Sequence, residues 1–168
     1  LYEKHKATTY PRTDCGYLPD SQKADIDKIL ANLKICNEFI DKCDSSFVSR
    51  VWNDKKVADS SHHAIIPTTN PKVNLDAMTE QERSIYGLIV KYYIAQFMGN
   101  YKYNETFIAL ECEDEKFSTK GIVPTSLGWK SVLGPTKEED KDDSKELPKV
   151  EQEEMLPCKS LKILNKKT

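Results

Sequence analysis

The chain has 168 residues, 38% hydrophobic and 31% charged, with a net charge of −2 and a pI near 6.0. That length buries one respectable core, or one compact domain and part of another. It holds no run of about 18 apolar residues for a membrane-crossing helix, and the slight acidity speaks against a uniformly basic nucleic-acid binder.

The charge is unevenly spread, which softens that objection. Lys4, Lys6 and Arg12 face a single acid, Glu3, in residues 1–13, while residues 137–154 are dense in Glu and Asp and pull the total down. A locally basic groove is compatible with the balance. Five cysteines (Cys15, Cys36, Cys43, Cys112, Cys158) form no Cys-x-x-Cys pair, so neither a zinc site nor a disulfide framework is expected. Reduced thiols in a cytoplasmic protein are the simplest reading. The absence of an opening methionine and the lysine-rich end are what an excised piece would show.

In chain order, the first informative stretch is Thr8-Thr9-Tyr10-Pro11-Arg12-Thr13-Asp14. Pro11 biases Tyr10 toward an extended backbone, where side chains two apart share a face. Tyr10 and Arg12 then point the same way, with Asp14 next along. A phenol beside a permanent guanidinium suits attack on a phosphodiester, the phenol as nucleophile and the guanidinium holding the phosphate. The plain alternative is a Tyr-Pro loop with an Arg–Asp salt bridge.

Pro19-Asp20-Ser21 reads as a helix start with Asp20 or Ser21 as cap. Ile26, Ile29, Leu30, Leu33, Cys36, Phe39, Ile40 and Cys43 keep helical spacing, predicting a helix over roughly 21–43 with a break near 34–37. Residues 44–78 carry little periodicity. Ser45-Ser46-Phe47 is a candidate short helix, Val51-Trp52 an anchor in the core, and the His62-His63 pair is followed by a loop containing Pro67, Asn70 and Pro71. Thr79-Glu80-Gln81-Glu82 is a capping box. The helix it opens carries apolar residues nearly all round (Ile85, Leu88, Ile89, Tyr92, Ala95, and Tyr86, Val90, Tyr93, Ile94, Phe97), which predicts a mostly buried helix stopped by Gly99.

The period then changes. Thr106, Ile108, Leu110 and Cys112 alternate with Phe107 and Ala109, Glu113-Asp114-Glu115 reads as a turn, and Phe117 to Val123 as a second strand. Gly128 to Leu133 is a candidate third strand, Lys137 to Glu146 an acidic insert without structure, and Val150 to Ile163 one or two returning strands with a turn around 152–154. The fold class is α+β: a mainly helical domain over 1–103, then β structure over 104–168.

The run from Leu1 to Pro19 closely resembles the active-site tyrosine segment of type IA DNA topoisomerases, and its Tyr-Pro-Arg and Cys15-to-Pro19 ending are most similar to the bacterial topoisomerase III branch. Asp54-Lys55-Lys56-Val57 with Ser61-His62-His63-Ala64-Ile65-Ile66-Pro67-Thr68 resembles the same family's histidine motif, in the right order. The resemblance implies a helical tyrosine domain, 1–103, followed by the C-terminal half of a β-rich arch domain, 104–168. It implies an isomerase that cleaves and religates single-stranded DNA through a 5′-phosphotyrosine without ATP, for strand passage, relaxation and decatenation. Tyr10 and Arg12 are then the catalytic residues. His62 contacts DNA, Lys6 and Thr9 are phosphate contacts by proximity, and His63 is structural.

The family's Mg2+ sits in a Toprim domain, with no counterpart in this chain, so no metal ligand is expected here. The isolated chain is expected to be inactive. Its expected partners are single-stranded DNA and the remaining domains of the same polypeptide, with no membrane, in the cytoplasm and at the nucleoid. Two other classes stay open. One is a rolling-circle or relaxase-type tyrosine nuclease, disfavoured because adjacent histidines on a strand face opposite ways. The other is a non-catalytic DNA-binding module with Tyr10 buried.

Overall fold

The computed structural model describes residues 1–33, 37–134 and 146–160. Elements run in the order α1 (Ile26–Asn32), α2 (Asn37–Ile40), α3 (Asp54–Ala58), α4 (Glu80–Ala95), β1 (Lys102–Cys112), β2 (Glu115–Ser126) and α5 (Lys130–Leu133), with 3-10 turns at Asp20–Asp25 and Leu75–Ala77. The α+β reading holds.

The helix expected over 21–43 is divided. Asp20–Asp25 is 3-10, without a side-chain cap at its start. Asp20 instead pairs with Lys23 at 2.9 Å, and its N–H donates to Asp54 Oδ1 at 2.8 Å. The expected cap is therefore spent on an ion pair and a tertiary tie. Ile26, Ile29 and Leu30 of α1 are buried, Phe39, Ile40 and Cys43 pack at the margin of the same core, and Cys36 lies outside the described residues. Ser45 to Phe47 forms a turn rather than a helix, because Asp44 takes the Ser46 N–H on its side chain and the Phe47 N–H on its carbonyl. The short α3 was not foreseen. Asn53 caps it by accepting from the Lys56 N–H at 3.0 Å.

Helix α4 is the centre of the core. Thr79 and Glu82 form the expected reciprocal capping box, the Thr79 N–H donating to the Glu82 carboxylate at 2.8 Å. Tyr86, Val90, Tyr93 and Ile94 face inward, and Phe97 just beyond the helix is fully buried. The expectation of burial nearly all round is corrected: Ile85, Leu88 and Tyr92 are 55–57% exposed. The buried side of α4 shares one core with Ala7, Leu18, Ile29, Leu30 and Val132; among the described residues the other side stays exposed.

Gly99, at φ +72°, ends this helical unit as expected. β1 and β2 then form a two-stranded antiparallel hairpin with Ile108 opposite Thr119, turning at Glu113 (φ +55°). Within it only Ile108 and Gly121 are buried, and Phe107, Leu110, Phe117 and Val123 stand exposed. A hairpin without a third layer cannot bury either of its faces.

The third strand expected over 128–133 is instead a turn and α5. Gly128 adopts φ +46° with its α-carbon against the Asn100 backbone, the Trp129 N–H donates to Gly99 O at 3.2 Å, and Val132 drops into the core. Placing Val132 there needs a helical turn rather than an extended run. The returning strands expected from Val150 are also absent among the described residues: 150–160 is irregular apart from a turn at 152–153, and exposed from 151 on. Residues 137–145 of the acidic insert and 161–163 of the last expected strand lie outside the described residues.

Candidate active site

Two extended segments meet at the site. Thr8 bridges to Pro67 and Leu18 to Trp52, so the stretch after Ala7 runs beside the segment that follows the histidine pair. Thr9 N–H donates to Ile66 O at 2.9 Å, Thr68 N–H to Ala7 O at 3.1 Å, and Ala64 N–H to Tyr17 O at 2.9 Å. The Thr9 hydroxyl completes the seam, donating to Ala64 O at 3.3 Å and accepting from the Ile66 N–H at 3.0 Å. Thr9 thus holds the two segments together, its hydroxyl already engaged on both sides.

This seam carries Tyr10 to the surface. Its side chain is 39% exposed, and its ring lies 4.5 Å from the His62 ring, tilted by 48°. Sequence reasoning listed both residues but gave no means of joining them. Immediately after, Thr13 Oγ1 donates to His62 O at 3.1 Å, accepts from the Cys15 N–H at 3.0 Å, and so ties the Arg12 turn to the histidine backbone. The Ser60 hydroxyl donates to Asp14 Oδ1 at 3.3 Å.

Between these strands lies an open concavity of about 540 Å³, lined by Pro11, Arg12, Thr13, Asp14, Ser60, Ser61 and His62. It gathers an exposed guanidinium, an imidazole and small hydroxyls around one opening, and the Tyr10 ring meets that imidazole. Ser60 and Ser61 were not singled out from the sequence. Serines before a histidine give no signal until the fold brings them to the same concavity as Arg12.

The adjacent histidines part company. His63 is half-buried and bound at both nitrogens: Nδ1 donates to Ala64 O at 2.7 Å, and Nε2 is hydrogen-bonded with the Gln22 side-chain amide at 2.7 Å. Engagement at both nitrogens is what a residue with a structural role would show. His62 is exposed and faces Tyr10.

Lys6 sits at φ +51°, a backbone region few non-glycine residues enter. Its carbonyl accepts from Thr68 Oγ1 at 2.7 Å and Asn70 Nδ2 at 3.4 Å, which hold it there. Its ammonium lies 5.7 Å from the centroid of the Tyr2 ring, and that ring in turn meets Tyr10 edge-on at 5.4 Å and 84°. Tyr2 is a further residue of the site that sequence reasoning missed; the chain between it and Tyr10 is irregular, so no local period brings the two rings together.

The neighbouring His5 side chain is buried, with Nε2 3.3 Å from Glu82 Oε2. The Thr79 N–H above all, and His5 after it, hold the Glu82 carboxyl down at about 2. The loop before Tyr10 is thereby docked on the N-terminus of α4. Among the described residues no three His, Cys, Asp or Glu side chains are placed to hold a metal ion.

A larger open groove of about 760 Å³ lies apart from this site, between Phe47 to Arg50, the end of α4 and Trp129. Among the described residues no helix is long and apolar enough to cross a membrane.

The profile of the DNA topoisomerase family matches residues 1–168. The chain is 37% identical to DNA topoisomerase 3 of Haemophilus influenzae over all of its own length and 26% of that protein's. It is 37% identical to DNA topoisomerase 3 of Bacillus licheniformis over 96% of the chain and 23% of the relative. With DNA topoisomerase 3 of Salmonella typhimurium the identity is 33%, over the whole chain and 26% of the relative. The chain thus spans about a quarter of the length of the curated relatives it matches. The tyrosine and histidine segments expected from the sequence therefore stand within a match that covers every residue, and the chain belongs to the type IA DNA topoisomerase family, on its topoisomerase III side.

Proposed function

We propose that this chain supplies the nucleophile half of a type IA cleavage site, acting on single-stranded DNA together with the rest of a longer polypeptide. The observation that carries the reading is the exposed Tyr10 phenol beside His62, at the rim of a concavity walled by Arg12. The phenol loses its proton, and its oxygen attacks phosphorus. An O–P bond forms to the 5′ phosphate, the bond to the 3′ oxygen breaks, and that oxygen leaves with a proton. The energy of the broken ester stays in the phosphotyrosine, so religation by the 3′ hydroxyl needs no ATP.

Arg12 binds the scissile phosphate and stabilises the charge that develops on it. His62 contacts the DNA beside the cleaved bond, and Lys6 adds a cation at the margin. Mg2+ belongs to a Toprim domain outside this chain, and strand passage leading to relaxation or decatenation requires those further domains. Residues 1–103 serve as the tyrosine domain and 104–168 as part of the arch, in a protein of the cytoplasm and nucleoid. By itself the chain is inactive in relaxation.

The nuclease alternative needs two histidines converging on one metal. Against it stands His63, which is engaged with Gln22 and Ala64 while His62 faces Tyr10. The binding-module alternative needs a buried Tyr10, and 39% exposure argues otherwise.

The test mixes the chain with a separately made Toprim-bearing piece, a labelled single-stranded oligonucleotide and magnesium, and resolves the products on a denaturing gel. The expected result is a covalent adduct that disappears in Tyr10→Phe while noncovalent binding persists. An adduct that survives Tyr10→Phe sinks the assignment of the nucleophile. Magnesium-dependent relaxation by the chain alone overturns the inactivity.

A further inference from the structure

An exposed phenol on an extended segment ordinarily samples several rotamers, and a nucleophile that must meet phosphorus in line is slowed by that freedom. Tyr10 touches two rings. One, His62, comes from the facing segment; the other, Tyr2, comes from the loop that leads into the site.

The Tyr2 loop is not loose. Ala7 N–H donates to Leu1 O at 2.9 Å and closes it. Thr68 and Asn70 clamp the left-handed Lys6, and the buried His5 meets Glu82 at the start of α4. The Lys6 ammonium near the Tyr2 ring adds a cation–π contact. Left-handed strain held by surrounding donors is the kind of feature that recurs where a fold prearranges a reacting group.

We propose that Tyr2 is a positioning residue for Tyr10: its ring, fixed by the clamped loop and by Lys6, limits the rotamers of the nucleophilic phenol. The inference rests on the reading of Tyr10 as nucleophile. Tyr2 works through ring contact rather than through its hydroxyl, so phenylalanine should replace it and leucine should not. An edge-to-face pair of this kind is worth about fivefold in the population of the held rotamer, or about 1 kcal/mol at roughly 1.4 kcal/mol per tenfold.

Two readouts test it. In the isotope-labelled chain, three-bond couplings about the Tyr10 Cα–Cβ bond should report one dominant rotamer in the parent and in Tyr2→Phe, and averaging in Tyr2→Leu. The Val90 and Ile94 methyl signals check that the core is intact, and Tyr2→Ser serves the same comparison should leucine disturb it. Unchanged Tyr10 couplings in an intact Tyr2→Leu or Tyr2→Ser overturn the proposal.

In single-turnover covalent capture with the complementing piece, Tyr2→Leu should slow adduct formation about fivefold at unchanged DNA affinity, with Tyr2→Phe restoring the rate. An equal rate for leucine and parent, or a loss confined to affinity, also overturns it. If the parent forms no adduct, or Tyr10→Phe still does, the nucleophile reading fails, and the couplings still decide whether Tyr2 holds Tyr10.

Discussion

Gly128→Ala tests how the hairpin leaves the helical core. A Cβ at this position would lie 2.4 Å from both the carbonyl carbon and oxygen of Asn100 and 2.7 Å from Gly99 O. These are backbone atoms, so no flexible side chain can move aside. The residue also sits at φ +46°, where an L side chain costs about 1–2 kcal/mol. Overpacking adds about 1–3 kcal/mol, for a total of about 2–5.

Gly99→Ala is the matched control, because its φ is +72° but nothing lies within 4 Å of the added atom. It should cost only the conformational part, about 1–2 kcal/mol. The difference of about 2 kcal/mol corresponds to roughly 4–8 °C in the thermal midpoint for a chain of this size. Far-UV circular dichroism on melting, with urea titration alongside, measures it. Hydrogen exchange at the Trp129 amide, which bonds Gly99 O, reports whether the crossing itself has opened. Equal losses for the two alanines would refute the close approach of Gly128 to the 99–100 backbone.

Other outcomes follow from the core and the site loop. Glu82 has its carboxyl depressed from an ordinary 4.5 to about 2 in the folded chain. Its stabilising contribution is therefore complete above about pH 4.5 and is lost as pH falls toward 2. The melting temperature of Glu82→Gln should fall less than the parent's over that window, and identical pH profiles would count against the Thr79–Glu82–His5 arrangement. Thr79→Ala removes the hydroxyl that accepts the Glu82 N–H and should cost about 1 kcal/mol in urea unfolding; no change would mean the cap contributes nothing.

Phe97→Ala empties a fully buried position and should cost about 3–5 kcal/mol, read by the same titration. Tyr93 is buried, with its phenol pKa raised by that burial and its hydroxyl without a hydrogen-bond partner among the described residues. Tyr93→Phe should thus be neutral or stabilising, and a loss above about 1 kcal/mol would contradict it.

Local chemistry declared much of this protein from its residues. The capping box at Thr79 and Glu82 needs only residues three apart, so α4 was legible with its start in place. The change of period after Gly99 and the Glu-Asp-Glu turn announced the hairpin. The Tyr10-Pro11-Arg12 segment and the His62 motif were legible as family.

What joins them was not. The 4.5 Å contact of Tyr10 with His62 and the edge contact with Tyr2 depend on the pairing of Thr8 with Pro67, a long-range bridge with no periodic signature. That the Thr9 hydroxyl bonds Ala64 and Ile66 of the facing segment likewise has no signal in the sequence. The Gly128 to Leu133 run suits strand or helix equally, and only the place kept for Val132 in the core decided for a helical turn. Composition likewise made α4 apolar on nearly every side, but which side is covered depends on what the rest of the chain brings against it. Sequence thus determined the elements whose signals are local, the α4 capping box and the hairpin, because those rest on neighbours along the chain. The tertiary structure alone decided which reactive groups meet and which apolar faces stay open, because those rest on neighbours in space.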